Sequence, residues 1–345
     1  MITRSFLTAL SALAVAGSAN AYTTDKHTII TPKVMIITMF GGEAKPWLDE
    51  EKFTRSISLP GLNPEYPNMS CTNNDVCMVT TAMGYANAAT TLTAVAFNSR
   101  LDLSHTYFII AGVGGVEPKY GTLGSAHWAR YVIDGGLLHR IDTRQTPKTW
   151  QHGVFELGSD APGKKPQWHA GTEVYHLNEA LVNQAYTISK SVKLFDTPQA
   201  QKERSTFKAN SIAASKPRVS ICDTLSSDTF WAGSKIAQAM QKHAALLTQG
   251  KAKICTTQME DNASLTALKR ASQANRLDFD RVLVLRTASN FDQETPESTP
   301  LTTLTQSKAG YKPATVNAYR VAHAVSYAIS HHWSDWKDGI KQQVK

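Results

Sequence analysis

The sequence predicts an α/β fold in which strands and helices alternate along the chain. Continuous apolar runs at residues 34–39, 107–111 and 282–287 are typical of strands buried on both faces of a parallel sheet. A strand at residues 77–82 is followed by a glycine and then by a helix-forming segment. The order strand, glycine turn, helix, strand is typical of βαβ units, and it indicates an α/β architecture.

The remaining elements follow from periodicity, helix-end signals and apolar runs. We expect helices at residues 87–97, 178–192, 230–247, 260–273 and 317–331, and strands at residues 127–134 (one strand or a pair), 219–222 and 253–257. The polar segments at residues 143–171 and 196–216 are predicted to be surface excursions. Because no linker or repeat divides the chain, we predict a single domain over residues 22–345.

The first 21 residues are predicted to be a cleaved secretory signal peptide. Arg4 supplies the positive charge, an apolar run follows, and Ala19 and Ala21 form a small-residue cleavage site. This run is too short to span a bilayer, and no later segment reaches about 18 consecutive apolar residues. The prediction is therefore a protein without a membrane span that is exported, either to the periplasm or by secretion.

Charge and cysteine content restrict the classes of ligand. The formal net charge is +8, but the basic residues are scattered, which argues against nucleic acid as a partner. An even number of cysteines in an exported chain favours disulfides, with free buried thiols as the alternative. A turn separates Cys71 from Cys77, and neighbouring strands can bring Cys222 and Cys255 together. No metal-ligand spacing is found, so neither a metal nor a cofactor is predicted.

Polar residues that follow two predicted strands indicate a binding site. Met259 and Glu260 follow one strand and open a helix, and Ser289 and Asn290 close the next strand. Alternatively, the glutamate serves only the helix dipole and the asparagine only forms a turn. A carboxylate and an amide together at the rim of an α/β sheet suit a neutral, hydroxyl-rich ligand such as a nucleoside.

Glycine-rich turns and an aromatic pair are further candidates. Residues 112–115 do not match G-x-G-x-x-G, because Glu117 stands where the third glycine belongs. This turn and a second one at residues 40–43 either serve the backbone geometry or line a ligand pocket. Phe230 and Trp231 either join the core or form a surface on which a flat base stacks.

Several segments resemble, in the same order, the purine nucleoside permease family within the nucleoside phosphorylase and nucleosidase superfamily. These segments are residues 39–43, 77–89, 108–118, 227–233, 259–263 and 285–291. The resemblance extends roughly from residue 30 to residue 335. It implies a three-layer α/β/α sandwich around a central mixed, partly barrel-like sheet.

The resemblance also implies roles for the candidate residues around the sugar and the base. Met259 and Glu260 fall where the superfamily holds ribose, with Glu260 accepting hydrogen bonds from the 2′- and 3′-hydroxyls. Ser289 and Asn290 fall at the base, where nucleosidases carry an aspartate that assists the departure of the purine. Aromatic rings that stack on the base correspond here to Phe230 and Trp231.

In the superfamily the attacking nucleophile enters on one side of the site, and the two glycine-rich segments correspond to that side. The residues on this side, where phosphate or water enters, are Gly41, Gly42, Glu43, Gly112 and Gly114. The arginine and hydroxyl side chains that hold phosphate near the central glycines are missing, since Ile110 and Gly112 occupy that region. A dianionic nucleophile requires charge-assisted donors, so their loss favours water.

The resemblance therefore implies an exported protein that cleaves the N-glycosidic bond of purine nucleosides, by hydrolysis rather than phosphorolysis. In this reading Asn290 and Glu260 carry the catalysis, although an amide cannot deliver a proton as an aspartate can. The alternative is a non-catalytic nucleoside-binding protein that supports nucleoside transport. Participation of phosphate and assembly into a homo-oligomer stay open.

Overall fold

The structure, a computed structural model, describes residues 28–306 and 308–340. The predicted signal peptide lies outside these residues. Within the two described ranges, no helix has the length and apolar character needed to cross a membrane.

Strands and helices alternate along most of the described chain. The strands are β1 (Val34–Thr38), β2 (Phe53–Ser58), β3 (Asn68–Thr72), β4 (Val76–Thr80), β5 (Tyr107–Val116), β6 (Ala126–Trp128), β7 (Tyr131–Asp134), β8 (Leu138–Arg140), β9 (Val154–Glu156), β10 (Val174–His176), β11 (Val219–Ile221), β12 (Asp223–Ser226), β13 (Ile254–Gln258) and β14 (Val282–Phe291). The helices are α1 (Gly41–Glu50), α2 (Tyr85–Ala96), α3 (Glu179–Ser189), α4 (Pro198–Arg204), α5 (Ser234–Thr248), α6 (Asp261–Gln273), α7 (Pro300–Thr305), α8 (Tyr311–His331) and α9 (Trp333–Trp336).

Twelve of the described strands form one mixed sheet, which confirms the predicted α/β class and the mixed sheet. Its main path runs β10-β7-β12-β13-β5-β1-β4-β3-β2, with β14 pairing with β5 and β6, and β11 pairing with β6. Of the strands predicted to be buried on both faces, β1 and β14 are buried along their whole length, and β5 is buried except at Val113. Helix α8 packs against β14 and β5, and α2 packs against α6.

The sheet divides at β5. Along one edge of β5, β1 pairs with the residues from Tyr107 to Ile110, and β13 pairs only with Gly115 and Val116. The opposite edge is covered by β14 along nearly the whole strand. Within the described chain, the stretch of β5 at residues 111–114 therefore has no strand partner on the first edge.

The glycine-rich segments are not the turns that the sequence predicts. Residues 41–43 begin α1, where the carbonyl of Phe40 accepts hydrogen bonds from the N–H groups of Glu43 and Ala44. Residues 112–115 continue β5, because β14 pairs with that strand as far as Val116. Ser289 and Asn290 likewise lie inside β14 rather than closing it.

The start of α5 and the presence of α4 also differ from the prediction. Helix α5 begins at Ser234 rather than at residue 230, because the Gly233 N–H is bonded to the carbonyl of Asp292 at the end of β14. The predicted excursion at residues 196–216 contains α4, which Thr197 caps. Arg204 of this helix is buried and forms an ion pair with Asp196 at 2.6 Å, so part of the segment belongs to the folded body.

Both predicted disulfides are present. Cys71 and Cys77 stand opposite each other on β3 and β4. Cys222 and Cys255 join the start of β12 to β13. The second bridge fixes β13, the strand that leads directly to Met259 and Glu260.

Candidate functional site

Two buried side chains occupy the unpaired edge of β5. The Val113 N–H donates to Oε1 of Glu43 at 2.7 Å, and the Val113 carbonyl accepts from Nη1 of Arg286 at 2.9 Å. Buried backbone groups require hydrogen-bond partners, and here the side chains of Glu43 and Arg286 take the place of a neighbouring strand. The division of the sheet thus places ionisable groups at its centre.

Glu43 reaches this edge from the first turn of α1. Its second oxygen, Oε2, accepts from the N–H of Met39 at 2.8 Å. Burial raises the pKa of Glu43 to about 8; Arg286 opposes the shift and Glu260 adds to it. Near neutral pH this carboxyl can therefore either hold or accept a proton.

Arg286 bridges two further acids. Its Nη2 donates to Oδ1 of Asp261 at 2.5 Å and to Oε2 of Glu260 at 3.1 Å, and its Nε lies 3.1 Å from Oδ2 of Asp261. Burial alone would lower the pKa of this guanidinium, but Asp261 and Glu260 raise it above its ordinary value. Arg286 therefore keeps its positive charge although it is only 1% exposed.

Glu260 lies between β13 and α6 and is held by three donors. In addition to Arg286, the Gly84 N–H donates to Oε1 at 3.3 Å and the Met259 N–H donates to Oε2 at 3.2 Å. The side chain makes no capping hydrogen bond to α6. It is therefore oriented toward the sheet rather than used as a helix cap, and its oxygens retain acceptor capacity.

Residues Gly112 and Gly114 allow β5 to pass between these groups. A Cβ on Gly112 would overlap Met39 and lie 2.5 Å from Oε1 of Glu43 and 2.8 Å from Nη1 of Arg286. A Cβ on Gly114 would lie 2.6 Å from the carbonyl oxygen of Thr257. The glycines thus leave room for the neighbouring groups, which accounts for their place inside a strand.

Replacing Gly112 with alanine is expected to lower nucleoside affinity at least about tenfold and stability by about 1–3 kcal/mol, since the added methyl displaces Glu43 or Arg286. Isothermal titration calorimetry and urea unfolding measure the two effects. Gly136→Ala is the matched control, because its Cβ would lie 3.4 Å from the nearest atom, Oδ1 of Asp134. Equal behaviour of the two variants would contradict the packing argument.

An opening lies over the centre of the sheet. Val113, Thr257 and Met259 are partly exposed, although their neighbours on β5 and β13 are buried. Val113 and Gly115 face the same side of β5, because side chains alternate along a strand. On that side, Nδ2 of Asn290 lies 3.3 Å from the Cβ position of Gly115. The acidic cluster contacts the edge of β5 at Val113, and the Asn290 amide lies roughly 7 Å further along the same strand, where a Gly115 side chain would point.

The side-chain amide of Asn290 is held by neighbouring residues of β14. Oγ of Ser289 donates to Oδ1 of Asn290 at 2.8 Å, and Nδ2 of Asn290 donates to the carbonyl of Phe291 at 2.9 Å. No hydrogen bond joins Asn290 to Glu260 in the described ranges. The structure thus places Glu260 after β13 and Asn290 on β14, without direct contact between them.

The two predicted aromatic residues have different environments. Phe230 is 49% exposed, with Nζ of Lys308 5.7 Å from its ring centroid. Trp231 is buried in a cluster with Leu225 and Met240. Phe230 is therefore the ring of the pair that a ligand can reach.

The segment at the start of α1 is lined by tyrosines. The Gly41 N–H donates to the hydroxyl of Tyr66 at 3.1 Å, and the hydroxyl of Tyr311 lies against Gly42. The rings of Phe40 and Tyr311 stack with centroids 6.3 Å apart. The predicted nucleophile side thus carries hydroxyl groups beside Glu43.

Arg286 is the main residue that the sequence analysis did not identify. An arginine does lie near the central glycines, because Arg286 reaches the carbonyl of Val113 from β14; whether any side chain there holds phosphate stays a prediction. The available signal was a single cation in a ten-residue strand that is otherwise uncharged, since a buried arginine needs an acidic partner. Each of its three nitrogens already has a protein acceptor.

Comparisons with known proteins give a family match over most of the chain. A family model described as purine nucleoside permease matches residues 31–341. A probable purine nucleoside permease of Schizosaccharomyces pombe is 34% identical over 326 residues, which cover 90% of this chain and 92% of the relative. A purine nucleoside permease of Candida albicans is 32% identical over 323 residues, covering 92% of this chain and 80% of the relative.

Solved structures share the fold at low sequence identity. The 5′-methylthioadenosine/S-adenosylhomocysteine nucleosidase of Neisseria meningitidis, bound to methylthio-immucillin-A, has a TM-score of 0.53 and 13% identity, covering 88% of this chain and all 100% of the nucleosidase. Futalosine hydrolase of Helicobacter pylori has a TM-score of 0.51 and 14% identity, covering 86% of this chain and 98% of the hydrolase. The fold is thus that of these nucleosidases.

Proposed function

Because this chain belongs to the purine nucleoside permease family, we propose that it binds purine nucleosides and hydrolyses their N-glycosidic bond. The observation that carries the proposal is the partly exposed stretch of β5 at Val113, with Glu43, Arg286 and Glu260 clustered at its unpaired edge and the Asn290 amide further along the strand. The two disulfides support action outside the cytoplasm, after export.

In this proposal Glu260 binds the ribose. Arg286, Gly84 and Met259 hold its carboxylate in place, and its remaining acceptor capacity serves the 2′- and 3′-hydroxyls. Positive charge develops on the sugar as the glycosidic bond breaks, as in other oxocarbenium-like transition states. A preoriented carboxylate at low dielectric stabilises that charge.

Glu43 activates water on the side of Gly41 and Gly42. Its raised pKa makes it a proton acceptor that works near neutral or mildly alkaline pH. Phosphate is disfavoured as the nucleophile, because the buried cation Arg286 is already neutralised by Asp261 and Glu260. The tyrosine hydroxyls beside Gly41 and Gly42 can orient a neutral water.

The base lies toward Asn290 and Phe230. The amide group of Asn290 offers a donor and an acceptor to the edge of a heterocycle, and Ser289 fixes its orientation. Phe230 supplies the accessible ring for stacking. Trp231 then supports the loop from within the core.

The experiment that tests this function is a turnover assay with inosine and adenosine, with and without phosphate. We expect free base in both conditions at equal rates, with free ribose rather than ribose 1-phosphate as the second product. A Glu260→Ala control is expected to lose turnover. Absence of free base in both conditions would refute the proposed hydrolysis, and strict dependence on phosphate would show phosphorolysis instead.

A second candidate function is nucleoside binding without chemistry, in support of transport. It is favoured by the amide at Asn290, which lacks the transferable proton of a carboxylic acid, and by the permease names of the relatives. Calorimetry that shows tight inosine binding by protein without turnover would support this alternative. Restoration of uptake in a deletion strain by the Glu43→Gln variant would separate uptake from catalysis.

A further inference from the structure

A buried carboxyl group without a partner lies directly beyond β14. Asp292 is only 2% exposed, and its Oδ1 has no hydrogen-bond partner in the part of the chain that the structure describes. Burying a polar group without a hydrogen bond costs free energy, and such groups call for an explanation. Neither the fold nor the ribose and water contacts described above use this side chain.

Asp292 lies beside Asn290 and Gly115. Its Cβ lies 3.2 Å from the Cβ position of Gly115, and Nδ2 of Asn290 lies 3.3 Å from the same point. Its backbone continues the ladder, since the Asp292 N–H donates to the Val116 carbonyl at 3.0 Å. Asp292 and Asn290 therefore share one side of β5.

The same residue is tied to the loop that carries Phe230. The carbonyl of Asp292 accepts from the N–H of Gly233 at 3.0 Å, three residues after Phe230. The backbone of Asp292 is thus tied to the loop that carries Phe230, while its side chain starts beside Gly115 and Asn290. A proton donor at this place would lie next to the departing purine.

The surroundings of Asp292 favour the protonated form of its carboxyl group. Burial raises the pKa of Asp292 well above its ordinary range, and the negative charges of Glu117 and Glu294 act in the same direction. Glu117 is held nearby by Nε2 of Gln293, which donates to it at 2.7 Å. A neutral carboxyl group can donate a proton, as an amide cannot.

We propose that Asp292 protonates the leaving purine, the step that Asn290 cannot perform; this inference rests on the proposed hydrolysis. The proton passes from Asp292 to N7 while the bond between C1′ and N9 breaks and its electron pair moves to the base. Water adds to C1′ and gives a proton to Glu43. The products are free purine and ribose, and exchange with solvent returns a proton to Asp292 and removes one from Glu43.

The test compares two substrates in wild-type protein and Asp292→Asn. Inosine needs a proton on its leaving base, whereas 7-methylguanosine already carries a positive charge on the base and leaves without one. We expect Asp292→Asn to lower kcat/KM for inosine about 10²–10⁴-fold and to leave the value for 7-methylguanosine within about threefold. Adding Asn290→Asp to this variant is expected to restore inosine cleavage at least about tenfold.

Three other outcomes would contradict the proposed role of Asp292. Unchanged inosine cleavage by Asp292→Asn would overturn it and leave the proposed hydrolysis standing. An equal loss for both substrates would show a structural role and would also overturn it. Wild-type protein that releases base from neither substrate would refute both. Thermal unfolding serves as the folding control, because asparagine has the shape of the neutral acid.

Discussion

Replacing Arg286 with methionine is expected to lower the free energy of unfolding by about 3–5 kcal/mol, the usual effect of removing one partner from a buried ion pair. The change leaves Asp261 and Glu260 buried with no cation between them, and it removes the donor to the Val113 carbonyl. Urea unfolding followed by circular dichroism measures the loss from the shift of the midpoint.

A double variant separates loss of charge balance from loss of packing. Arg286→Met combined with Asp261→Asn removes one of the two stranded carboxylates, so it is expected to recover part of the lost stability. Lys242→Met, which removes an exposed cation from α5, serves as the surface control. A loss below about 1 kcal/mol for Arg286→Met would contradict the assignment of this residue as the charge that holds the site together.

Local sequence patterns predicted the elements that rely on local signals. The apolar runs of β1, β5 and β14 and the periodicity of α6 and α8 each lie within one segment of the chain. The extension of β5 through its glycines was not predictable in this way. A glycine normally weakens a strand, and its use at Gly112 depends on Met39, Glu43 and Arg286, which come from other segments.

The site shows the same division between local and long-range information. Glu260 was recognisable from its place after a strand, and the structure places it beside Gly84, which belongs to another of the segments that carry the family resemblance. The role of Arg286 was not recognisable, because it depends on where β1 and β13 separate along β5. Trp231 was grouped with Phe230 by sequence, but its burial depends on the packing of α5 against β12.

The unpaired edge of β5 connects stability with chemistry. In a regular sheet, a neighbouring strand would satisfy the N–H and carbonyl of Val113. Here Glu43 and Arg286 satisfy them, so the groups that complete the fold are also the groups that can move a proton or stabilise charge. Substitutions in this cluster are therefore expected to change stability and turnover together, and their separation requires a variant that keeps the fold.

Glu43→Gln is such a variant, and it is expected to lower kcat/KM for inosine about 10²–10⁴-fold, the usual contribution of a general base. Glutamine keeps the size of the side chain and can still accept from the Val113 N–H through its amide oxygen. Its NH2 group cannot accept from the Met39 N–H, and the side chain cannot take a proton from water. Initial rates of base release over pH 5–10 measure the effect. Wild-type kcat/KM is expected to rise with pH through about 8, as Glu43 loses its proton, and the variant should lack this rise.

Stability measurements on wild-type protein and the same variant provide the control. The contribution of Glu43 to wild-type stability falls as pH rises, whereas wild-type kcat/KM is expected to rise. The pKa of Glu43 is raised from 4.5 to about 8 in the folded state. The folded wild-type protein therefore binds a proton that the unfolded chain releases, and this contribution is lost as pH rises from about 4.5 to about 8. The stability of Glu43→Gln should therefore lack this fall, so its thermal stability relative to wild type should rise from about pH 4.5 to about pH 8 while turnover is lost. A variant whose unfolding temperature relative to wild type does not rise over that pH range, or that retains wild-type turnover, would contradict the assignment of Glu43 as the buried base.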